Sequence, residues 1–120
     1  MNILGIDFGT KNIGLAWVDT AVGVVLPFGI VSSQELSGLV REEKVDRVVI
    51  GLPLGLDGKE NANTTRVRKF GEGLKQETGV PVEFYDERFS SQAADAMGEG
   101  VSRDEKSAMV ILQDYLVKNK

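Results

Sequence analysis

The amino-terminal stretch MNILGIDFGTKNIGLAWV, residues 1–18, decides the fold of this chain. Residues 1–8 are mostly apolar and end at Gly9-Thr10, which is the pattern of a buried strand that meets a turn. Residues 13–18 predict a second strand, close enough to the first for a hairpin. Asp7 is therefore an acidic residue at the end of a predicted core strand.

Outside this hairpin, the sequence predicts three further strands and several helices. The strands are expected over residues 24–31, 45–51 and 81–85. Helices are expected from Ser32 or Ser33 to about residue 43, over residues 63–78, over residues 90–97, and from Ser102 onward. Pro27 has no backbone N–H to donate to a sheet, so the third strand should lie at an edge.

This order of elements predicts an α/β domain with a mixed five-stranded sheet flanked by helices. Hairpin connections join the first three strands, and helices connect the third, fourth and fifth. Right-handed crossovers make the first, fourth and fifth strands parallel neighbours, which corresponds to the strand order 3-2-1-4-5. The carboxyl ends of these parallel strands then meet at one edge, where the ligand sites of α/β proteins usually form.

The composition is that of one ordinary globular domain. The chain has 120 residues, of which 42% are apolar and 27% are charged. This length suits a single domain over residues 1–120. Because no apolar run approaches the roughly 20 residues that a membrane span needs, we expect a cytoplasmic protein without membrane contact.

The lack of cysteine and histidine limits the possible chemistry. It excludes disulfides, zinc sites built on Cys or on Cys and His, cysteine nucleophiles and Ser-His-Asp triads. Any metal ion must be held by oxygen ligands, which favours Mg²⁺ or Mn²⁺. The net charge of −4 counts against non-specific attraction to phosphate as the main activity. It remains compatible with a cluster of metal-binding carboxylates.

Asp7, Glu87 and Asp104 are the candidate ligands for such an ion. An unpaired buried charge on Asp7 is costly, so either a cation or nearby backbone amides must compensate for it. Glu87 follows the fifth strand and should share an edge of the sheet with Asp7, although Asp86 competes for the same role. Asp104 lies in the first turn of the last helix, where the helix dipole favours any acidic residue. Its spacing to Ala108 also places it on the inward side of that helix.

Four basic residues are candidates for binding the substrate. Three convergent carboxylates without histidine suggest phosphodiester hydrolysis with two metal ions about 4 Å apart. Lys11 and Arg88 are candidates for holding the scissile phosphate. Arg66 and Arg68 belong to a basic cluster that would follow a nucleic-acid backbone. All four are equally compatible with ordinary surface charge.

Five segments of the sequence resemble the YqgF/RuvX family of the ribonuclease-H-like superfamily. They are GIDFGTKNIGL (5–15), VIGLPLGLDG (49–58), VRKF (67–70), DERFSS (86–91) and residues 104–116, which end in VILQDYL. They span nearly the whole chain in the order typical of the family. The first segment alone is less specific, because it also resembles the phosphate-binding strand of sugar kinases and actin.

The resemblance implies a ribonuclease-H-like fold and a nuclease that processes the 5′ end of pre-16S ribosomal RNA. Resolution of Holliday junctions is an older assignment for the same family. The family's acidic positions match Asp7, Glu87 and Asp104, and this match favours Glu87 over Asp86. Lys11 and Arg88 also match family motif positions. The chain departs from the pattern over residues 98–103, where the family has a longer, lysine-rich loop.

Two other functions remain open on sequence grounds. A binding protein on the same fold, without catalysis, fits the short loop and the acidic net charge. An ATP-binding domain of the actin and sugar-kinase type fits Gly9 and Thr10, although such proteins clasp the nucleotide between two domains. The sequence does not separate RNA from branched DNA, Mg²⁺ from Mn²⁺, or a monomer from a homodimer.

Overall fold

Strands and helices follow each other along the chain nearly as the sequence predicts. The structure is a computed structural model that describes residues 1–9, 12–53, 59–86, 100 and 102–118. The strands are β1 (Asn2–Asp7), β2 (Ile13–Asp19), β3 (Val25–Val31), β4 (Arg47–Leu52) and β5 (Val82–Asp86). Within the described residues the helices are α1 (Ser33–Glu42), α2 (Ala62–Thr78) and α3 (Arg103–Lys118). The helix predicted over residues 90–97 lies outside the described residues.

The strand order in the sheet is β3-β2-β1-β4-β5, as predicted. β1 pairs antiparallel with β2 and parallel with β4, and β4 pairs parallel with β5. Pro27 lies in β3, which occupies an edge, as expected for a residue that cannot donate to a neighbouring strand. The carboxyl ends of β1, β4 and β5 therefore share one edge, where Asp7 and Asp86 end their strands.

Local sequence signals set the ends of the helices. Ser32 caps α1, and its hydroxyl accepts a hydrogen bond from the backbone N–H of Glu35. Asn61 caps α2, where the hydroxyl of the fully buried Thr64 donates to the carbonyl of Pro53 just after β4. This bond attaches the start of α2 to the end of β4. Gly79 ends α2 in the left-handed conformation, with a φ of 72°.

The sheet carries a hydrophobic core on each face. α1 and α2 cover one face, where buried side chains such as Leu36 and Val67 join the cluster that contains Leu4 and Ile6. On the other face, Ala108, Ile111, Leu112 and Tyr115 of α3 join the cluster that contains Ile3 and Val49. Because alternate residues of a strand point to opposite faces, Asp7 shares the face of Ile3 and points toward α3. Among the helices that the structure describes, none has the length and apolar character needed to cross a membrane.

Candidate active site

Asp7 and Asp104 are two carboxylates that the fold brings together. Asp7 is the last residue of β1 and is partly buried, and Asp104 lies beside it in the first turn of α3. Burial, together with the negative charge of Asp104, raises the pKa of Asp7 to about 6. A hydrogen bond from the Ser107 hydroxyl opposes this rise, because it favours the charged carboxylate. Asp7 and Asp104 thus form a pair whose mutual repulsion a cation would relieve.

Gly14 of β2 allows α3 to approach this closely. It is the antiparallel partner of Asp7. A Cβ atom on Gly14 would lie 2.7 Å from the Cβ of Asp104, and closer still to the Asp104 backbone carbonyl. Only a residue without a side chain leaves room there for the first turn of α3. Gly14 was not among the predicted site residues, although an isolated glycine inside a strand indicates a close approach of another backbone.

The first turn of α3 is held by a capping box that begins at Ser102, where the sequence predicts the start of this helix. The Ser102 hydroxyl accepts a hydrogen bond from the Glu105 backbone N–H at 3.1 Å, and the Glu105 carboxylate accepts one from the Ser102 backbone N–H at 3.4 Å. Such reciprocal bonds satisfy backbone donors that a helix start would otherwise leave without partners. Asp104 is therefore presented from a well-defined helix start and not from a loop.

Three predicted site residues, Lys11, Glu87 and Arg88, lie outside the described residues. In the described part of the chain, no three acidic side chains gather into a group that would hold a metal ion. Of the three predicted metal ligands, Asp7 and Asp104 lie within the described residues.

The backbone of β5 nevertheless reaches the same edge of the sheet as Asp7. Ile50 of β4 pairs with Ile6 on one side and with Phe84 on the other. Asp7 lies one residue beyond Ile6 along β1, and Asp86 lies two residues beyond Phe84 along β5. Because neighbouring strands are about 4.8 Å apart, the backbones of β1 and β5 are separated by roughly 10 Å here. The chain leaves β5 at this edge immediately before Glu87.

Arg66 and Arg68 lie on the exposed side of α2, across the sheet from α3. Both belong to the first two turns of the helix, so they lie near the edge where β4 ends. Arg68 forms an ion pair with Glu60, and its guanidinium lies 5.4 Å from the ring centre of Phe84. Arg68 is thus committed to contacts within the protein, whereas the described contacts leave Arg66 as an exposed cation on the same helix.

Comparison with known proteins connects this chain to one family. A family model described as "RuvX: Holliday junction resolvase" matches residues 1–118. A protein of Maridesulfovibrio salexigens is 35% identical over 98% of this chain and 99% of its own length. A protein of Bordetella pertussis is 38% identical over 95% of this chain and 92% of its own length. Both relatives carry the name "Putative pre-16S rRNA nuclease".

The fold itself has a counterpart among solved structures. Thermus thermophilus RuvC, in complex with Holliday junction substrate, superposes with a TM-score of 0.67. The match covers 92% of this chain and 90% of that one, at 14% sequence identity. At this identity the likeness establishes the ribonuclease-H-like fold that the sequence analysis expected. Because the family model and the full-length relatives agree, this chain belongs to the RuvX family, which is described as a family of Holliday junction resolvases.

Proposed function

We propose that this chain is a metal-dependent nuclease that hydrolyses phosphodiester bonds in the precursor of 16S ribosomal RNA. The observation that carries the proposal is the pairing of Asp7 with Asp104 at the edge of the sheet where β1 and β4 end. Two carboxylates this close repel each other unless a cation or a proton compensates. The names of the full-length relatives supply the substrate class.

The donor set fits Mg²⁺ or Mn²⁺. The chain contains neither cysteine nor histidine, so carboxylate oxygens are its strongest ligands, and these suit hard cations. Asp7 and Asp104 would hold the metal, and Glu87 would join them from the end of β5 as the third carboxylate. Two such ions, when bound, lower the pKa of an attacking water and stabilise the leaving oxygen.

The side chains around the carboxylates bind and orient the substrate in this proposal. The Ser107 hydroxyl favours the charged form of Asp7 that a metal ligand needs, in opposition to the rise in pKa that burial causes. Lys11 and Arg88 hold the scissile phosphate. Arg66 contacts the nucleic-acid backbone from the α2 side of the sheet edge, and Arg68 contributes positive charge from the same helix while it pairs with Glu60.

We further propose that the chain works as a single domain in the cytoplasm.

A second candidate function is the resolution of Holliday junctions. The description of the matching family favours it, and so does the fold shared with a resolvase. The same carboxylates would serve either substrate, because both reactions hydrolyse a phosphodiester. Family membership supports both nucleases over the ATP-binding alternative.

The test is cleavage of two substrates by the purified full-length chain. One is a precursor 16S RNA fragment with its 5′ extension, and the other is a four-way DNA junction, each with Mg²⁺, Mn²⁺ or EDTA. We expect metal-dependent cleavage of the RNA by the wild type and its loss in Asp7→Asn. If Asp7→Asn cleaves as fast as the wild type, the activity comes from a contaminant and the proposal fails. Cleavage of the junction alone would favour the second function, and Mn²⁺ binding without cleavage of either substrate would indicate a binding protein.

A further inference from the structure

Glu105 connects the first turn of α3 to strand β3. Its Oε2 atom accepts a hydrogen bond from the backbone N–H of Gly29 at 2.8 Å, in a partly buried position. Its Oε1 atom accepts a hydrogen bond from the Ser102 hydroxyl at 2.9 Å. The carboxylate therefore uses one oxygen on its own helix and the other on the sheet.

Strand β3 is irregular where Gly29 donates this hydrogen bond. The register between β2 and β3 shifts here, and Phe28 has no partner in β2. Gly29 itself has a φ of 100°, a conformation that side chains disfavour. A bulge of this kind interrupts the ladder of hydrogen bonds between strands. Glu105 accepts the hydrogen bond that Gly29 donates at this interruption.

This bond lies next to the carboxylate pair. Gly14 pairs with Ile30 on one side and with Asp7 on the other, so Gly29 is one residue from the row that contains Asp7. Asp104 immediately precedes Glu105, and its backbone rests on Gly14. The first turn of α3 therefore contacts β3 through Glu105 and β2 through the backbone of Asp104.

We propose that Glu105 is a positioning residue of the active site, because its bond to Gly29 sets where the first turn of α3 lies on the sheet. That placement determines the distance between Asp104 and Asp7. Helix capping does not require this bond, since the reciprocal bonds with Ser102 are complete without Oε2. The inference rests on the proposed function, in which Asp7 and Asp104 hold the metal.

The test compares three variants of the full-length chain. Glu105→Ala removes both contacts of the carboxylate. Ser102→Ala removes the hydroxyl of the cap but leaves the bond to Gly29. Glu105→Gln keeps an acceptor for the Gly29 N–H and a donor for the Ser102 hydroxyl. Binding of Mn²⁺ is measured by calorimetry, and kcat and KM are measured with the precursor RNA.

We expect Glu105→Ala to raise the Kd for Mn²⁺ about tenfold, which is the usual effect of losing a group that orients a metal ligand. Its kcat should fall by a similar factor while its KM changes little, because the substrate contacts remain. Glu105→Gln should restore most of the affinity. Ser102→Ala should lower the melting temperature but leave the Kd near the wild-type value. If Glu105→Ala does not fold, Glu105→Asp replaces it, since it keeps the charge but is too short to reach Gly29.

The outcomes separate this inference from the function on which it rests. Wild-type Mn²⁺ affinity in Glu105→Ala would overturn the positioning role alone. Equal losses of affinity in Glu105→Ala and Ser102→Ala would overturn it as well, because capping would then explain both. A wild-type chain that binds no Mn²⁺ would overturn the proposed function and the positioning role together.

Discussion

The backbone of Asp104 rests directly on Gly14, where a Cβ atom would come within 2.7 Å of the Asp104 Cβ. Gly14 is at the same time the strand partner of Asp7. The missing side chain of Gly14 therefore gives room for two carboxylates from opposite ends of the chain to approach each other. Small residues also lie beneath the next turn of α3, because Gly5 and Ala16 form the next strand pair on the same face of the sheet.

Replacing Gly14 by alanine should push the first turn of α3 away from Asp7. We expect the free energy of unfolding to fall by about 1–3 kcal/mol, as for other overpacked sites. Metal-dependent cleavage should fall at least about tenfold, because a small displacement of a catalytic group has a large effect on rate. Urea unfolding and cleavage assays measure the two effects.

Gly38 provides the matched control for this substitution. It lies inside α1, and an added Cβ would meet no atom within 4 Å. Gly38→Ala should therefore stabilise the chain by about 0.5–1 kcal/mol and leave cleavage unchanged. Full activity in Gly14→Ala would show that the spacing between α3 and β2 does not control catalysis.

The raised pKa of Asp7 makes the stability of the metal-free chain depend on pH. The pKa rises from 3.8 to about 6 on folding, so between about pH 4 and 6 the folded chain binds more protons than the unfolded chain. The corresponding stabilisation is present below about pH 4 and is lost as the pH rises through 6. At pH 7 and above, the buried charge then costs up to about 3 kcal/mol.

Asp7→Asn should consequently stabilise the metal-free chain while abolishing its activity. Asparagine is neutral at every pH, so it avoids the cost of burying the charge beside Asp104. In EDTA, we expect a gain of about 1–3 kcal/mol at pH 7.5 and little difference near pH 4, measured by urea unfolding across this range. A variant that is less stable than the wild type at pH 7.5 would contradict this account of Asp7.

Mn²⁺ should stabilise the folded wild type, because it binds the carboxylate pair only when the pair is assembled. At a concentration about 100 times its Kd, a ligand adds about 2.7 kcal/mol to the free energy of unfolding. We expect this gain in the wild type and in Glu72→Gln, which alters an exposed carboxylate on α2. The gain should be much smaller in Asp104→Asn. If Mn²⁺ raises the melting temperature equally in all three proteins, the ion binds somewhere other than the carboxylate pair.

Glu87 and Asp86 can be distinguished by a pair of substitutions. Glu87→Gln should reduce cleavage by at least about a hundredfold, since losing a group that merely supports a metal ligand already costs roughly 10- to 100-fold. Asp86→Asn should have a smaller effect. Initial rates at saturating Mn²⁺ decide between them, and a larger loss in Asp86→Asn would transfer the role of third carboxylate to Asp86.

Arg66 and Arg68 should differ in what they contribute. Arg66→Ala should raise KM for RNA. It should also reduce the slope of log K for binding against log salt concentration by about 1, which corresponds to one phosphate contact. Arg68→Ala also breaks the ion pair with Glu60, so it should lower the free energy of unfolding by about 0.2–1 kcal/mol. Binding titrations at several salt concentrations test the first effect, and urea unfolding tests the second. Identical salt dependence in the wild type and Arg66→Ala would remove Arg66 from the substrate contacts.

The sequence alone determined the strands, the helix ends and the order of the sheet. These features depend on local signals, such as the alternation of apolar residues, the serine caps, and Pro27 at an edge. The structure also places Asp7 beside Asp104, and their role as metal ligands stays a prediction. Glu87, Lys11 and Arg88 stay predictions, because they lie outside the described residues.

Only the tertiary structure decided how α3 meets the sheet. The contact of Gly14 with Asp104 and the bond from Gly29 to Glu105 join residues that no local pattern relates. The same holds for α2, whose arginines approach the shared edge from the opposite face. The physical reason is that side-chain packing and backbone irregularity, such as the bulge in β3, set distances between elements. Residue periodicity specifies which side of each element faces the core, but it does not specify which residues of another element lie against that side.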